Sequence, residues 1–303
     1  MLTAKIPNQS EDLDSFLTGA SPSLCAKTRQ LVDILRSFRK VLVAFSGGID
    51  STLVASLAKV ALGRNAIAVT ADSPSLPASE LEEARRLANE MGMEHMVIRT
   101  GELDDPRYVS NPLNRCYFCK KELSEKLKLM AAELGASVIV DGTNADDLLG
   151  HRPGAAALAE EGVRRPLSEV GMTKAEVREL SRLLGLPNFD KPSMPCLSSR
   201  IQYGQLITPE RLQRIEKSEN FIRQLTGVKE LRVRDHGNLA RIEVGRNERK
   251  LFFDESLLEA IGNKLREFGF GHASLDLLGY RAGSMNEEII ATRKSKATVR
   301  EPF

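Results

Sequence analysis

Tryptophan is absent from the 303 residues, aromatic residues make up only 5%, and there are four cysteines, Cys25, Cys116, Cys119 and Cys196. So few cysteines, so widely scattered, do not describe a small disulfide scaffold. In a reducing compartment they are either inert or chemical. Also missing is any apolar run of the roughly 18 residues that a membrane span needs. The N-terminus, MLTAKIPNQSEDLDSF, has no apolar core for a signal peptide, so a cytoplasmic location is expected and no membrane partner. A large charge excess is lacking too. The 43 basic and 41 acidic residues leave a net charge of +2, which gives no bulk electrostatic reason to bind nucleic acid. What is present is ordinary: 42% apolar and 28% charged residues, the mix of a globular protein with a real core. The length favours two domains, since domains run to roughly 100–200 residues.

Residues 1–22 are polar, with Ser21-Pro22 as a break, and helical spacing of Leu24, Leu31, Ile34 and Leu35 predicts a helix from Ser23 to Arg39. Val41-Leu42-Val43-Ala44-Phe45 is a short continuous apolar run, the pattern of a strand buried on both faces of a parallel sheet. Strands then alternate with helices: helix 50–62, strand 65–71, helix 78–91, strand 94–99, helix 120–134 and strand 137–141. That alternation implies βαβ units and an open parallel sheet. A further helix, 173–184, opens on Thr173 with Glu176 three residues on, a capping-box pattern. Residues 187–207 are rich in Pro, Ser and Gly and read as a loop. Beyond them the pattern is helix 209–226, strand 230–235, strand 239–244, helix 255–268 and strand 273–278, with a hairpin around His236-Gly237-Asn238. The fold class expected is therefore α/β: an open parallel-sheet domain over 1–198 and a smaller two-layer α+β domain over 199–303, with a polar tail at 284–303.

The most informative segment is the turn that follows the first strand, Ser46-Gly47-Gly48-Ile49-Asp50-Ser51. Two glycines let backbone N–H groups approach an anion closely. Ser46, Ser51 and Thr52 add hydroxyl donors, and the next helix points its positive end at the same spot. A tetrahedral oxyanion fits there. The lysine of a Walker A loop is absent, and an ordinary strand–turn–helix corner is the bland alternative. The S-G-G-x-D-S pattern between a buried strand and a helix resembles the PP-loop of the N-type ATP pyrophosphatases. That group includes synthetases for GMP, NAD, asparagine and argininosuccinate, and tRNA thiolases. The resemblance implies an adenine nucleotide alpha hydrolase-like domain in which ATP is split to AMP and pyrophosphate, with Ser46, Gly47, Gly48, Asp50 and Ser51 gripping pyrophosphate. Adenylation replaces oxide, a poor leaving group, by AMP, so a nucleophile can attack the carbon.

Asp141-Gly142-Thr143-Asn144-Ala145-Asp146-Asp147 ends a strand with a glycine turn and carboxylates close by. Carboxylate oxygens suit Mg²⁺, and Asp146 is the leading candidate ligand; a helix cap with solvated acids is the plain alternative. The run resembles the G-T-N-x-D-D of several PP-loop enzymes, which places Gly142 and Asp146 in the nucleotide site. Val69-Thr70-Ala71-Asp72-Ser73 ends the second strand, and ligands bind at the C-terminal ends of strands in open α/β sheets. Thr70 and Asp72 are therefore expected against the adenosine half. Lys120 or Lys121 can neutralise phosphate or simply be solvated.

Cys116 and Cys119 form a C-x-x-C, which alone reads equally as a redox pair or half a zinc site. Cys196 lies in Lys191-Pro192-Ser193-Met194-Pro195-Cys196-Leu197-Ser198-Ser199-Arg200, a Pro/Ser-rich loop unsuited to a core residue, with Arg200 near enough in sequence to favour the thiolate. Cys25, on the first helix, reads as a small apolar residue. Taken together, the PP-loop, N-R-C-Y-x-C-K, G-T-N-x-D-D, K-P-S-x-x-C-L-x-S-R and the later R-V-R…A-R-I-E run resemble the LarE family, from about Ser23 to Glu287. LarE enzymes are sulfur transferases of nickel-pincer nucleotide cofactor biosynthesis. The resemblance implies adenylation of pyridinium-3,5-biscarboxylic acid mononucleotide and conversion of its carboxylates to thiocarboxylates. It also implies a homo-oligomer. Two chemistries occur in the family. In one the loop cysteine, here Cys196, gives up its own sulfur and is left as dehydroalanine. In the other three cysteines, here Cys116, Cys119 and Cys196, hold a 4Fe–4S cluster whose open iron carries a sulfide. Three thiolates on four irons suit the second; zinc would want a fourth ligand.

Arg232-Val233-Arg234 puts two guanidiniums on one face of a strand, able to clamp a phosphate, while Arg241 and Glu243 share a face of the next strand. A solvated face with cross-strand ion pairs is the competing reading. By likeness to LarE, Arg232, Arg234, Glu243 and Arg200 form the set around the phosphate of the small nucleotide substrate. Two other functions compete. A tRNA thiolase would need a basic surface and shows a steep salt dependence of binding. A non-catalytic ATP-binding module would release no pyrophosphate.

Overall fold

A computed structural model describes residues 13–149 and 153–281. The polar stretch expected at the N-terminus falls largely outside the described residues, as does the tail at 284–303. The chain divides into two compact units, residues 1–108 with 113–194, and residues 109–112 with 195–303. The division expected from sequence is 198/199. Pro195, Cys196 and Arg200 accordingly belong to the second unit.

The first unit is built on four parallel strands: β1 (Val41–Ala44), β2 (Ala66–Asp72), β3 (Glu94–Arg99) and β4 (Val138–Val140). Their order is β3-β2-β1-β4. Register runs Val41 to Ala66 on one side of β1 and Val41 to Val138 on the other. Because strand side chains alternate, a strand in the middle of such a sheet must be apolar on both faces. Val41 and Val43 enter a core with Leu31, Leu53, Leu57 and Leu180, from the helices Pro22–Arg36, Ile49–Leu62 and Lys174–Leu183. Leu42 faces the other way, with Ile67, Val69 and Leu127 from the helix Arg115–Leu134. Each fully buried leucine of this kind contributes about 1.5–3 kcal/mol by burial. From β1 the chain moves outward to β2 and β3, then returns to the opposite side of β1 as β4. The crevice at the C-terminal ends of β1 and β4 is thus the topological switch point, where such sheets bind ligands.

Most predicted elements form within a residue or two of their expected ends. The helix expected from Lys120 instead begins at Arg115, which puts Cys116 and Cys119 on its first turns. The stretch Arg115–Cys119 shows no apolar periodicity to signal a helix. Its buttress is remote in sequence: the helix Pro153–Glu160 packs so close that a Cβ on Gly154 would stand 3.0 Å from Lys120 Cγ and 3.3 Å from the Cys116 carbonyl oxygen. The helix Lys174–Leu183 forms with the expected capping box, the Thr173 hydroxyl accepting from the Glu176 N–H and Glu176 reaching back to the Thr173 N–H at 2.8 Å.

The second unit holds β5 (Leu231–His236), β6 (Leu239–Val244) and β7 (His272–Leu275) in the order β5-β6-β7. The β5–β6 pair is the expected antiparallel hairpin, and β7 runs parallel to β6. Helices Pro209–Thr226 and Glu255–Glu267 pack Ile222, Ile261 and Leu265 against Val233, Ile242 and Val244. This is a two-layer α+β arrangement with its own core.

Candidate functional site

The turn after β1 is folded around hydroxyl groups. The Ser46 N–H donates to Ser51 Oγ at 3.2 Å, and the two serine hydroxyls lie 3.1 Å apart. Ser51 Oγ and Thr52 Oγ1 both donate to the Gly48 carbonyl, at 3.0 and 2.9 Å. Gly47 has φ +69°, the left-handed region where a side chain is strained, and an added Cβ would meet Ala84 Cα at 3.2 Å. Gly48 caps the helix Ile49–Leu62 without a capping side chain. The first turn of that helix therefore keeps its positive end for an anion rather than for its own cap.

β4 brings the second loop against the same helix start. A Cβ on Gly142 would come within 2.6 Å of the Ser51 backbone nitrogen and 2.9 Å of Ser51 Cα, so only glycine allows the two loops to touch. Asn144, buried, donates to Asp50 Oδ1 at 3.0 Å and accepts from the Asp147 N–H at 3.2 Å. Asp141, also buried, accepts from the Thr143 N–H at 2.8 Å, and burial pushes its carboxyl above the usual range.

A lysine without a motif of its own in the sequence joins this cluster. Lys174, the first residue of its helix, pairs through Nζ with Asp50 Oδ2, and its backbone N–H donates to Asp146 Oδ2 at 2.8 Å. Asp50, Asn144, Asp146 and Lys174 are thereby drawn together beside the phosphate turn. The available signal is the capping box, which fixes where that helix starts. The second residue that sequence reasoning misses is Asn188, inside the stretch read as loop. Its amide donates to the Gly47 carbonyl at 3.0 Å and to Thr52 Oγ1 at 2.9 Å.

At the end of β2, Thr70 Oγ1 donates to the Phe45 carbonyl at 2.7 Å and lies 2.8 Å from His95 Nε2. Thr70 thus helps close the underside of the turn. Asp72 lies 4.0 Å from Arg99, and the serines that follow hydrogen-bond to the buried Glu102.

Cys116 is exposed and Cys119 half-buried, three residues apart and so on one face of the helix Arg115–Leu134. Tyr117 between them donates to Glu160 Oε2 at 2.6 Å. None of the four cysteines forms a disulfide among the described residues. Among those residues no three His, Cys, Asp or Glu side chains make up a metal-holding group. A cavity of about 730 Å³ lies further along the same helix, lined by Arg107, Phe118, Lys121 and Glu122 among others. It does not include the phosphate turn.

In the second unit, Cys196 is half-buried and opens the helical turn Leu197–Arg200. Its carbonyl accepts from Ser199 Oγ at 2.7 Å and from Arg200 Nη1 at 2.9 Å. Arg200 is fully buried, and Glu219 takes its Nε and Nη2 at 2.9 and 3.1 Å. Expected both beside the Cys196 thiol and around the substrate phosphate, Arg200 spends these donors on Glu219 and on loop carbonyls, and so holds the Cys196 loop in shape. Arg234 binds Glu243 Oε2 through Nε at 2.9 Å and Nη2 at 2.7 Å, and donates to the Ser199 carbonyl at 3.1 Å. Arg241 takes the other oxygen of Glu243 at 3.0 Å. The Arg232 guanidinium lies 5.1 Å from the centre of the Tyr280 ring; burial, with the neighbouring Arg200 charge, pushes it down to about 10. Arg232, Arg234 and Glu243 are all buried, so the sheet face they share is not the solvated one of the competing reading. Among the described residues no helix is long and apolar enough to cross a membrane.

A sequence model of the NAD synthase family matches residues 23–107. An uncharacterized protein of Synechocystis sp. is 46% identical over 86% of this chain and 97% of its own length. The pyridinium-3,5-bisthiocarboxylic acid mononucleotide synthase of Lactiplantibacillus plantarum is 36% identical over 88% of this chain and 96% of its own. A subunit of the glutamine-hydrolysing GMP synthase of Methanopyrus kandleri is 28% identical over 61% of this chain and 63% of its own.

Proposed function

Because the chain belongs to the LarE family of pyridinium-3,5-bisthiocarboxylic acid mononucleotide synthases, we propose that it adenylates a carboxylate of pyridinium-3,5-biscarboxylic acid mononucleotide with ATP and converts it to a thiocarboxylate. The observation that carries this reading is the phosphate turn with Gly142 pressed against its helix start, in a chain that matches the synthase over 96% of that protein's length.

The residues divide the work as follows. Ser46, Gly47, Gly48 and Ser51 offer backbone and hydroxyl donors to the β- and γ-phosphates, aided by the helix end. Lys174 is the cation at hand once phosphate competes with Asp50 for it. Asp72 flanks the adenosine half, and the buried Thr70 beneath it ties the turn to β2. The oxygen donors of Asp50 and Asp146, which Lys174 links, suit Mg²⁺, which supplies charge neutralisation to the phosphates when bound. The substrate oxygen attacks the α-phosphorus, pyrophosphate leaves, and the acyl adenylate forms. Sulfide then displaces AMP from the carbonyl carbon. Arg232 and Arg234, with Glu243 and Arg241 beside them, hold the mononucleotide's phosphate, and Arg200 keeps the Cys196 loop in place.

For the sulfur source, Cys116 and Cys119 are thiols one helical turn apart, a donor pair suited to iron, and Cys196 is the third. A 4Fe–4S cluster on these three would supply sulfide. The sacrificial route uses Cys196 alone and leaves Cys116 and Cys119 without a task. Self-association belongs to the same reading. The second unit leaves Phe253 82% and Leu277 83% exposed, apolar surface that another copy of the chain would cover.

The test is turnover by protein made without oxygen. Incubated with ATP, Mg²⁺ and the biscarboxylic mononucleotide, it should release pyrophosphate and add the mass change of oxygen-to-sulfur exchange to the substrate. Iron and acid-labile sulfide in the protein support the cluster. Colourless protein losing the mass of H₂S at Cys196 supports sacrifice instead. No pyrophosphate with any carboxylate overturns the enzyme and favours an ATP-binding module. Release that depends on tRNA, weakening steeply with salt, identifies a thiolase.

A further inference from the structure

The phosphate turn has a weakness written into its sequence. Gly47 and Gly48 flank a peptide with no side chain on either side to fix its orientation. Glycine populates φ of either sign with little cost, so this peptide plane can flip. A trans peptide is planar, with its C=O and N–H pointing in opposite directions. Turning the plane over would replace the Gly48 N–H by the Gly47 carbonyl oxygen. The site would then present a negative dipole end to a polyanion.

Asn188 holds that plane. Its Nδ2 donates to the Gly47 carbonyl at 3.0 Å and to Thr52 Oγ1 at 2.9 Å. The assignment of its amide is settled by chemistry. A carbonyl only accepts, and Thr52 Oγ1 already donates to the Gly48 carbonyl at 2.9 Å, so both oxygens need a donor from Asn188. Asn188 is only 3% exposed, and its Oδ1 is buried without a hydrogen-bond partner. Burying a lone acceptor is costly, which is unusual for a residue that serves packing alone. The segment carrying Asn188 is itself fastened. Lys191 pairs with Glu80 at 2.8 Å, on the helix Ala78–Glu90, and Ala84 of that helix closes in on Gly47. With its carbonyl held by Asn188, the 47–48 peptide keeps the Gly48 N–H on the other side, where it donates to Ser46 Oγ at 3.3 Å.

We propose that Asn188 is a positioning residue for the pyrophosphate grip: it locks the Gly47–Gly48 peptide so that the Gly48 N–H faces the leaving phosphates. The proposal rests on the nucleotide reading above and adds to it a determinant of pyrophosphate affinity outside the S-G-G-x-D-S pattern. Asn188→Asp keeps the size but turns the donor into an acceptor, which repels the Gly47 carbonyl. Asn188→Ser keeps a shorter donor and serves where the Asp variant does not fold.

Binding of ATP, inorganic pyrophosphate and AMP to the full chain, with Mg²⁺ present, is the measurement. AMP serves as the internal reference because it lacks the two phosphates the turn holds. In Asn188→Asp, ATP and pyrophosphate should bind at least tenfold more weakly than in the wild type, with AMP within twofold. Asn188→Ser should lose about threefold for pyrophosphate, again sparing AMP. Pyrophosphate affinity unchanged in both variants overturns the proposal. So does a parallel loss of AMP affinity, which would mark Asn188 as a structural residue. Wild-type protein that binds AMP but neither ATP nor pyrophosphate would instead sink the nucleotide reading itself, and is distinguishable because no variant is needed to see it.

Discussion

At the scale of single residues, the proposed chemistry gives gripping and reacting to different groups. The backbone and hydroxyls of the phosphate turn are the proposed grip, whereas Cys196, the proposed sulfur donor, stands on a loop of the second unit whose carbonyls are held by Ser199 and Arg200. This separation predicts a split in the half-reactions. Cys196→Ser removes the sulfur-bearing group but leaves the loop's hydrogen bonds intact, since these run through the Cys196 carbonyl. ATP–pyrophosphate exchange with the biscarboxylic mononucleotide should therefore stay within about threefold of wild type, a change of only about 0.6 kcal/mol, while thiocarboxylate formation falls below detection. Loss of exchange in step with product would mean that Cys196 also supports adenylation. Much of this level is legible in the sequence, because S-G-G-x-D-S and G-T-N-x-D-D are contiguous patterns that carry their own chemistry. Asn188 and Lys174 are not, because each reaches the turn only through the fold. Nothing in Pro187-Asn188-Phe189 distinguishes a bond to Gly47 from a solvated loop.

Among elements, the helix Lys174–Leu183 shows how local sequence sets up a distant site. Its capping box fixes the first turn, and that turn delivers the Lys174 N–H to Asp146 and the Lys174 ammonium to Asp50. Thr173→Ala removes the side-chain acceptor for the Glu176 N–H and should cost about 1 kcal/mol of stability. It should also loosen Lys174 and raise the KM for ATP several-fold with little change in the KM for the carboxylate substrate. A thermal shift without any change in KM would leave Lys174 positioned by other means. Strand and helix identities are legible because a doubly buried strand and an amphipathic helix have different apolar periods. The start of the helix bearing Cys116 and Cys119 is not, since its first turn is stabilised by the distant helix Pro153–Glu160 rather than by a cap or a periodic face of its own.

For the molecule as a whole, the chain joins a nucleotide sheet with two apolar faces to a second unit that buries an unusual density of charge. There Glu219 is 2% exposed and takes Arg200, Arg223 and the Val233 N–H, while Glu243 is fully buried and takes Arg234 and Arg241. Burial alone would push the Glu219 carboxyl up, but the charges of Arg200, Arg223 and Arg232 outweigh it and hold the group below the usual carboxylate range. A carboxylate depressed in the folded state contributes stability above its unfolded pKa and loses it as pH falls through the folded value. Glu219→Gln leaves buried guanidiniums without their counter-charge, which should cost about 3–5 kcal/mol at neutral pH. The loss should appear as faster amide exchange in β5 and β6, with β1, β2 and β4 still protected, because each unit has its own core. Since glutamine does not titrate, the stability gap between variant and wild type should narrow as pH falls through the folded value of Glu219. A gap that stays constant down to the acid transition would mean that the wild-type carboxylate is not what balances these arginines. In that event the case for Arg232 as part of a preassembled phosphate clamp would lose its electrostatic basis.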